Sequence, residues 1–228
     1  MLKNYFQDLM KLLLQPILFF TRMPDSEWWD KPVTFLGITA MILAFFTAFS
    51  VFITQYIPIG STLFEKVSGL KIIIVSPVML VLAFMFSVIA FSILFVSFLA
   101  GMLLLFWMLG ALIFWGGNIL KGKGDYLKDV KASFYSSGIF LALIIPVFML
   151  VLLKNKTMDF TNFAIGYNIF YGFAILFLYG LQAIIARKVH GLKKWKAFIV
   201  ALLPFLVLIM LGIIVSYLIL PKISPWIS

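Results

Sequence analysis

The residues of this sequence that could do chemistry are few and most gather in its middle. Gly122-Lys123-Gly124-Asp125 spells G-x-G-D, a signature in which an intramembrane aspartate shares its site with a second carboxylate and the two titrate apart. No aspartate lies in another apolar stretch, so the partner is missing and Asp125 reads as part of a solvated turn. Gly117 to Lys123 spells G-x-x-x-x-G-K. Gly124, however, stands where a phosphate loop places Ser or Thr on magnesium, and an apolar segment precedes it instead of a strand. His190 is the only histidine and there is no cysteine, so neither a zinc tetrad nor a histidine-based triad can be assembled. It reads as an exposed loop residue among Arg187, Lys188, Lys193 and Lys194. Asp125 and Asp129, four apart, read as salt-bridged amid Lys121, Lys128 and Lys131 rather than metal-bound. No catalytic, cofactor-binding or metal-binding residue emerges, and the chain reads as non-enzymatic.

The elements that carry these residues are set by composition. The sequence is 64% hydrophobic and 11% charged, with a mean hydropathy of +1.15, far from the balance of a water-soluble domain. Several stretches exceed the roughly 20 apolar residues a helix needs to cross the hydrocarbon. The alternating pattern of a membrane barrel is absent, so helices must satisfy the backbone in lipid. The fold class is therefore all-α: a polytopic transmembrane helical bundle. Residues 1–30 form an N-terminal interfacial segment. There Leu2, Tyr5, Phe6, Leu9, Met10, Leu12 and Leu13 lie near one face of an amphipathic helix, with Lys3, Gln7, Asp8, Lys11 and Gln15 largely opposite. Leu12 to Phe20 is interrupted by Gln15 and Pro16 and lacks a small-residue cleavage site, so it reads as retained. Residues 31–228 form the transmembrane domain, with spans at about 33–56, 132–153, 161–186 and 197–220 and a polar loop at 57–71.

Residues 72–120 are the difficult segment. They run 49 positions without a charge, about 73 Å as one helix and too long for a bilayer. The basic residues arbitrate. With one net crossing here and a cytoplasmic N-terminus, the inside carries Lys3, Lys11, Arg22, Lys31, the four lysines of 121–131 and the five basic residues of 187–196. The outside keeps Lys66, Lys71, Lys154, Lys156 and Lys222. Two crossings would reverse that bias against the positive-inside rule. The expectation is five net crossings, N-terminus inside and C-terminus outside, with 72–120 broken or re-entrant near Pro77 or 87–97.

Ionisable groups are absent from the expected spans, which disfavours a coupled ion transporter. Asn118, Tyr135, Tyr167, Asn168, Tyr171 and Gln182 read as interhelical hydrogen bonds or interface anchors. Pro146 and Pro204 should kink their helices. Ala40, Ala44 and Ala48, and Ser97 with Gly101, have the spacing of close helix contacts. The net charge of +10 is scattered over short loops, which suits anionic headgroups and not nucleic acid. The candidate lipid or partner contacts are Lys121, Lys123, Lys128, Lys131, Arg187, Lys188, Lys193, Lys194 and Lys196, with Trp28 and Trp29 at the headgroup level. Expected partners are membrane lipids, anionic ones first, a membrane or cytoplasmic protein, and a second copy of the chain. No cofactor is expected.

A set of loose motifs follows the same order. Gln15-Pro16-Ile17-Leu18-Phe19-Phe20 and Trp28-Trp29-Asp30-Lys31-Pro32 precede the first span. Trp115-Gly116-Gly117 and Gly124-Asp125-Tyr126-Leu127-Lys128-Asp129-Val130 lead to Phe134-Tyr135-Ser136-Ser137, with Pro146 later. This layout resembles the YIP family (Ypt-interacting protein, the Yip-one domain) in its short prokaryotic form, over essentially the whole chain. The resemblance implies five spans, a cytoplasmic N-terminus and a multi-pass protein of a prokaryotic plasma membrane. Eukaryotic relatives are associated with vesicle trafficking, Rab-type GTPase binding and membrane shaping. Asp30-Lys31-Pro32 departs from their D-L-Y-G-P motif, so what carries over is a membrane organiser or trafficking-type scaffold acting through lipids or partner proteins. The alternative is a transporter or lipid-translocating protein with a midplane cavity around 72–120.

Overall fold

The computed structural model describes residues 2–23, 26–65 and 71–214, and every regular element among them is helical. In chain order these are α1 (Leu2–Leu14), α2 (Pro16–Thr21), α3 (Lys31–Val51), α4 (Ile57–Glu65), α5 (Lys71–Ile119), α6 (Tyr126–Ser136), α7 (Ile144–Lys154), α8 (Phe160–His190) and α9 (Lys194–Ile214). A π-helical turn, Phe52–Tyr56, joins α3 to α4, and a 3-10 stretch, Ser137–Leu143, joins α6 to α7. Among the described residues, four helical stretches, Lys31–Thr62, Val75–Ile119, Tyr126–Lys154 and Phe160–His190, are long and apolar enough to cross a membrane. The expected span 197–220 corresponds to α9 as far as Ile214, and its remainder lies outside the described residues.

Local chemistry explains the boundaries. Asp159 caps α8, accepting from the Asn162 backbone N–H at 2.6 Å. Pro146 cannot donate to the carbonyl four residues back, and the chain tightens into the 3-10 stretch just ahead of it. The polar loop expected at 57–71 is instead helical as far as Glu65. Pro58 lacks an N–H, and the turn before it widens so that the Ile57 N–H reaches the Phe52 carbonyl.

The expected break in 72–120 does not occur. α5 is one continuous 49-residue helix with Pro77 inside its second turn. Ser87 and Ser92 turn their hydroxyls back onto the Ala83 and Val88 carbonyls, both at 2.8 Å, so these polar groups are satisfied without unwinding. None of the residues in its most apolar window is buried, as suits a helix facing lipid. Ser97 and Gly101 are not a packing contact, for nothing described lies within 4 Å of a Cβ placed on Gly101.

Close packing groups the chain into two units. The first comprises Met1–Tyr5, Val33–Leu104 and Ser137–Phe177. Leu36, Ala40, Ala44 and Ala48 are buried along one face of α3. The Thr39 hydroxyl donates to the Phe35 carbonyl at 3.0 Å and accepts from Tyr5 at 2.9 Å, with the Tyr5 ring 4.7 Å from that of Phe35. An apolar groove of about 410 Å³ lies between α3 and α5, bounded by Phe45, Phe49, Phe52, Phe84, Val88 and Phe91. The second unit comprises Phe6–Pro32, Leu105–Ser136 and Leu178–Ser228. Its interior holds Phe106, Leu109 and Ile113 of α5, Val130, Phe134 and Tyr135 of α6, and Leu181 and Ile185 of α8. The apolar face of α1 is divided: Tyr5, Leu9 and Leu12 are buried, whereas Leu2, Phe6 and Met10, spaced by four, are exposed. That uncovered strip fits a helix resting at the lipid boundary.

Candidate functional site: a basic membrane-boundary surface

The site begins where α5 ends. The Lys121 N–H reaches the Asn118 carbonyl at 3.0 Å and the Gly122 N–H the Gly117 carbonyl at 2.8 Å, with Lys121 left-handed at φ 64°. These two bonds are a Schellman cap. It turns the chain sharply towards α6, whose Val130 backbone approaches Gly110 so closely that a Cβ there would lie 2.8 Å from the Val130 Cα.

His190, the last residue of α8, fills the space inside this turn. Its Nε2 lies 2.7 Å from Asp129 Oδ2, with both side chains fully buried, and its Nδ1 accepts the Gly124 backbone N–H at 3.1 Å. A methyl group on Gly117 or Gly124 would overlap the imidazole, and one on Gly122 would lie 2.7 Å from the His190 Cβ. Because Nδ1 is already an acceptor, the ring proton sits on Nε2 and points at the carboxylate. Both ring nitrogens are therefore committed. The pair thus staples the end of α8 to α6 and to the turn that follows α5.

Two expectations are corrected here. His190 is not an exposed loop residue, because the turn leaves an imidazole-sized space that only a ring aimed inward fills. Asp129 pairs with His190 and not with the neighbouring lysines, because its face of α6 points inward. Asp125 remains exposed.

The staple continues as a polar seam. Asp129, Ser133 and Ser136 share one face of α6, and Gln182, Ala186 and His190 share one face of α8; all are buried. Gln182 Nε2 donates to the Ser136 hydroxyl at 3.1 Å, and that hydroxyl donates to the Ser133 carbonyl at 2.6 Å. The two side-chain bonds are separated by about 10 Å along α6 and about 12 Å along α8, at a rise of 1.5 Å per residue, which is an antiparallel register. Gln182 thus forms the interhelical hydrogen bond its composition suggested.

The basic residues are distributed around the staple. Lys123 donates its backbone N–H to the His190 carbonyl at 3.2 Å. Lys196 Nζ bonds the Leu120 carbonyl at 3.3 Å, neutralising the C-terminal end of α5. These bonds bring segments 121–131 and 187–196 together. Lys121, Lys123, Lys128, Arg187, Lys188, Lys193 and Lys194 stay exposed, whereas Lys131 is 8% exposed. A pocket of about 470 Å³ joins Lys128 and Lys131 to Ser26, Glu27, Trp28, Asp125 and Leu127. Trp28 meets Trp107 edge-on at 4.9 Å and Trp29 at 5.7 Å, and Trp29 remains 60% exposed. Sequence reasoning missed the His190–Asp129 contact and the burial of Lys131. No local signal marked the contact, since Gly124 and His190 stand 66 positions apart.

The sequence model of the Yip1 domain matches residues 10–216. The chain belongs to the Yip1 domain family. No curated protein and no solved structure matches it. Family membership and the apolar helices together make this Yip1 domain a multi-pass membrane protein. The motifs that carried the resemblance now have physical roles. Gly117 and Gly124 make room for His190, Asp129 holds its ring, and Trp28 packs on Trp107.

Proposed function

We propose that this Yip1-domain protein acts without catalysis, as a membrane organiser or trafficking-type scaffold. It engages anionic lipid and partner proteins through segments 121–131 and 187–196 on the cytoplasmic side of a plasma membrane. The observation that carries this reading is the joining of the two basic segments by His190, Lys123 and Lys196. Separate loops would present isolated charges, whereas a joined surface concentrates their attraction for anionic headgroups. Orientation is supported by the excess of basic residues on this side and by the unbroken α5, since a straight helix crosses only once.

The transporter alternative rested on a broken α5, which is continuous. The groove between α3 and α5 is walled by phenylalanines, which suits acyl chains better than polar cargo. The test uses Trp195, 58% exposed between Lys194 and Lys196. Brominated anionic lipid should quench its fluorescence at lower mole fraction than brominated zwitterionic lipid. Lys193→Gln with Lys194→Gln should weaken that preference by about fivefold per charge. Equal quenching by both lipids would overturn the lipid-contact reading.

A further inference from the structure

The pocket between residues 26–28 and the start of α6 contains charges of both signs. Lys128 and Lys131 face it together with Glu27 and Asp125, and Trp28 forms part of its wall. Among the described residues, none of these four charges is within 4 Å of an opposite charge. Lys131 is 8% exposed and lines the pocket, so a group seated there could offer its ammonium the acceptors that a cation of low exposure requires. Two cations and two anions line one cavity of about 470 Å³ and do not neutralise one another. An occupant bearing both charges would satisfy all four.

The depth of the pocket restricts the occupant. Lys131 immediately precedes the apolar run that starts at Ala132. Trp28, Trp29 and Trp107 cluster beside it, as tryptophans do at the headgroup level. We infer that this pocket seats the headgroup of a phosphatidylethanolamine-type phospholipid, its phosphate on Lys128 and Lys131 and its primary ammonium on Glu27 and Asp125. A purely anionic headgroup would satisfy the lysines but leave its remaining oxygens against two carboxylates. A choline headgroup carries the right charges but has no N–H to donate. A primary ammonium offers three donors. The inference deepens the lipid-contact reading by naming the lipid class at one part of the surface, and it uses none of the residues tested there.

The experiment is native mass spectrometry of the full chain, delipidated in detergent and titrated with phosphatidylethanolamine, phosphatidylcholine or phosphatidylglycerol. Phosphatidylethanolamine should be retained roughly tenfold more tightly than phosphatidylcholine, the worth of one charge-assisted hydrogen bond. Glu27→Gln with Asp125→Asn should abolish that discrimination while phospholipid still binds; both side chains are exposed, so folding is preserved. Lys128→Gln should weaken all phospholipids alike. A preference for phosphatidylglycerol, or a phosphatidylethanolamine preference untouched by the carboxylate variant, would overturn the inference. Binding of free phosphoethanolamine as tight as that of the lipid would overturn the membrane source. Failure of the Trp195 quenching test would leave these outcomes unaffected, so the two readings fail separately.

Discussion

Removing His190 should damage this fold more than removing its partner. In the His190→Ala variant the Asp129 carboxylate stays buried with neither oxygen bonded, since Oδ1 already has no hydrogen-bond partner among the described residues, and the Gly124 N–H loses its acceptor. Leaving an ionised group buried without its hydrogen-bond donor costs more than the roughly 1–3 kcal/mol of a neutral one. Asp129→Ala leaves a neutral imidazole with one unpaired N–H, a loss of about 1–3 kcal/mol. The asymmetry follows from the tautomer fixed by Gly124, because only the carboxylate carries charge in the pair. In the double variant no buried charge remains, and it should regain roughly 2 kcal/mol relative to His190→Ala, a coupling of the size seen for directly contacting residues. Denaturant unfolding in mixed micelles, followed by tryptophan fluorescence, reads all three, with Trp28 and Trp107 packed beside α6 as reporters. Additive losses, or a larger loss for Asp129→Ala than for His190→Ala, would refute the staple and its charge assignment.

The glycines around the ring should be equally sensitive. Gly117→Ala and Gly124→Ala should each destabilise by about 1–3 kcal/mol through overpacking, whereas Gly101→Ala, in open space, should be neutral or slightly stabilising in the same unfolding assay. Lys121→Gly should stabilise the α5 cap by about 1 kcal/mol, because a left-handed lysine is replaced by the residue that tolerates φ 64° best. The cysteine-free chain permits single cysteines at Ser61, Lys123, Lys156 and Lys193. Labelling of intact cells should reach Ser61 and Lys156 only, and labelling at Lys123 or Lys193 would reject the proposed five-crossing orientation.

Much of the architecture was legible in the sequence because hydropathy and backbone satisfaction act on contiguous residues. An apolar run flanked by Lys, Asp or Trp specifies a helix and its depth without reference to the rest of the chain, so α1, α3, α5, α8 and α9 fall near their expected positions. Two expectations failed where local rules compete. The polar loop expected at 57–71 and the break expected near Pro77 both gave way to helix, as the turn at Phe52–Tyr56 widens ahead of Pro58 and α5 runs on through Pro77 in its second turn. The basic composition of 121–131 and 187–196 was equally plain, since charge needs no partner to be counted.

Tertiary structure alone decided what His190, Asp129 and Lys131 do. His190 and Asp129 stand 61 positions apart, and nothing in their local context distinguishes an exposed imidazole from one wedged between Gly117 and Gly124. The glycines were ambiguous for the same reason, since space around a backbone is occupied only once another helix arrives. The sequence by itself determined a helical membrane protein with basic segments at its polar boundary. Which charges were buried, and which stayed exposed, depended on the α5 cap turning and α8 ending against it, a matter of distances between remote residues.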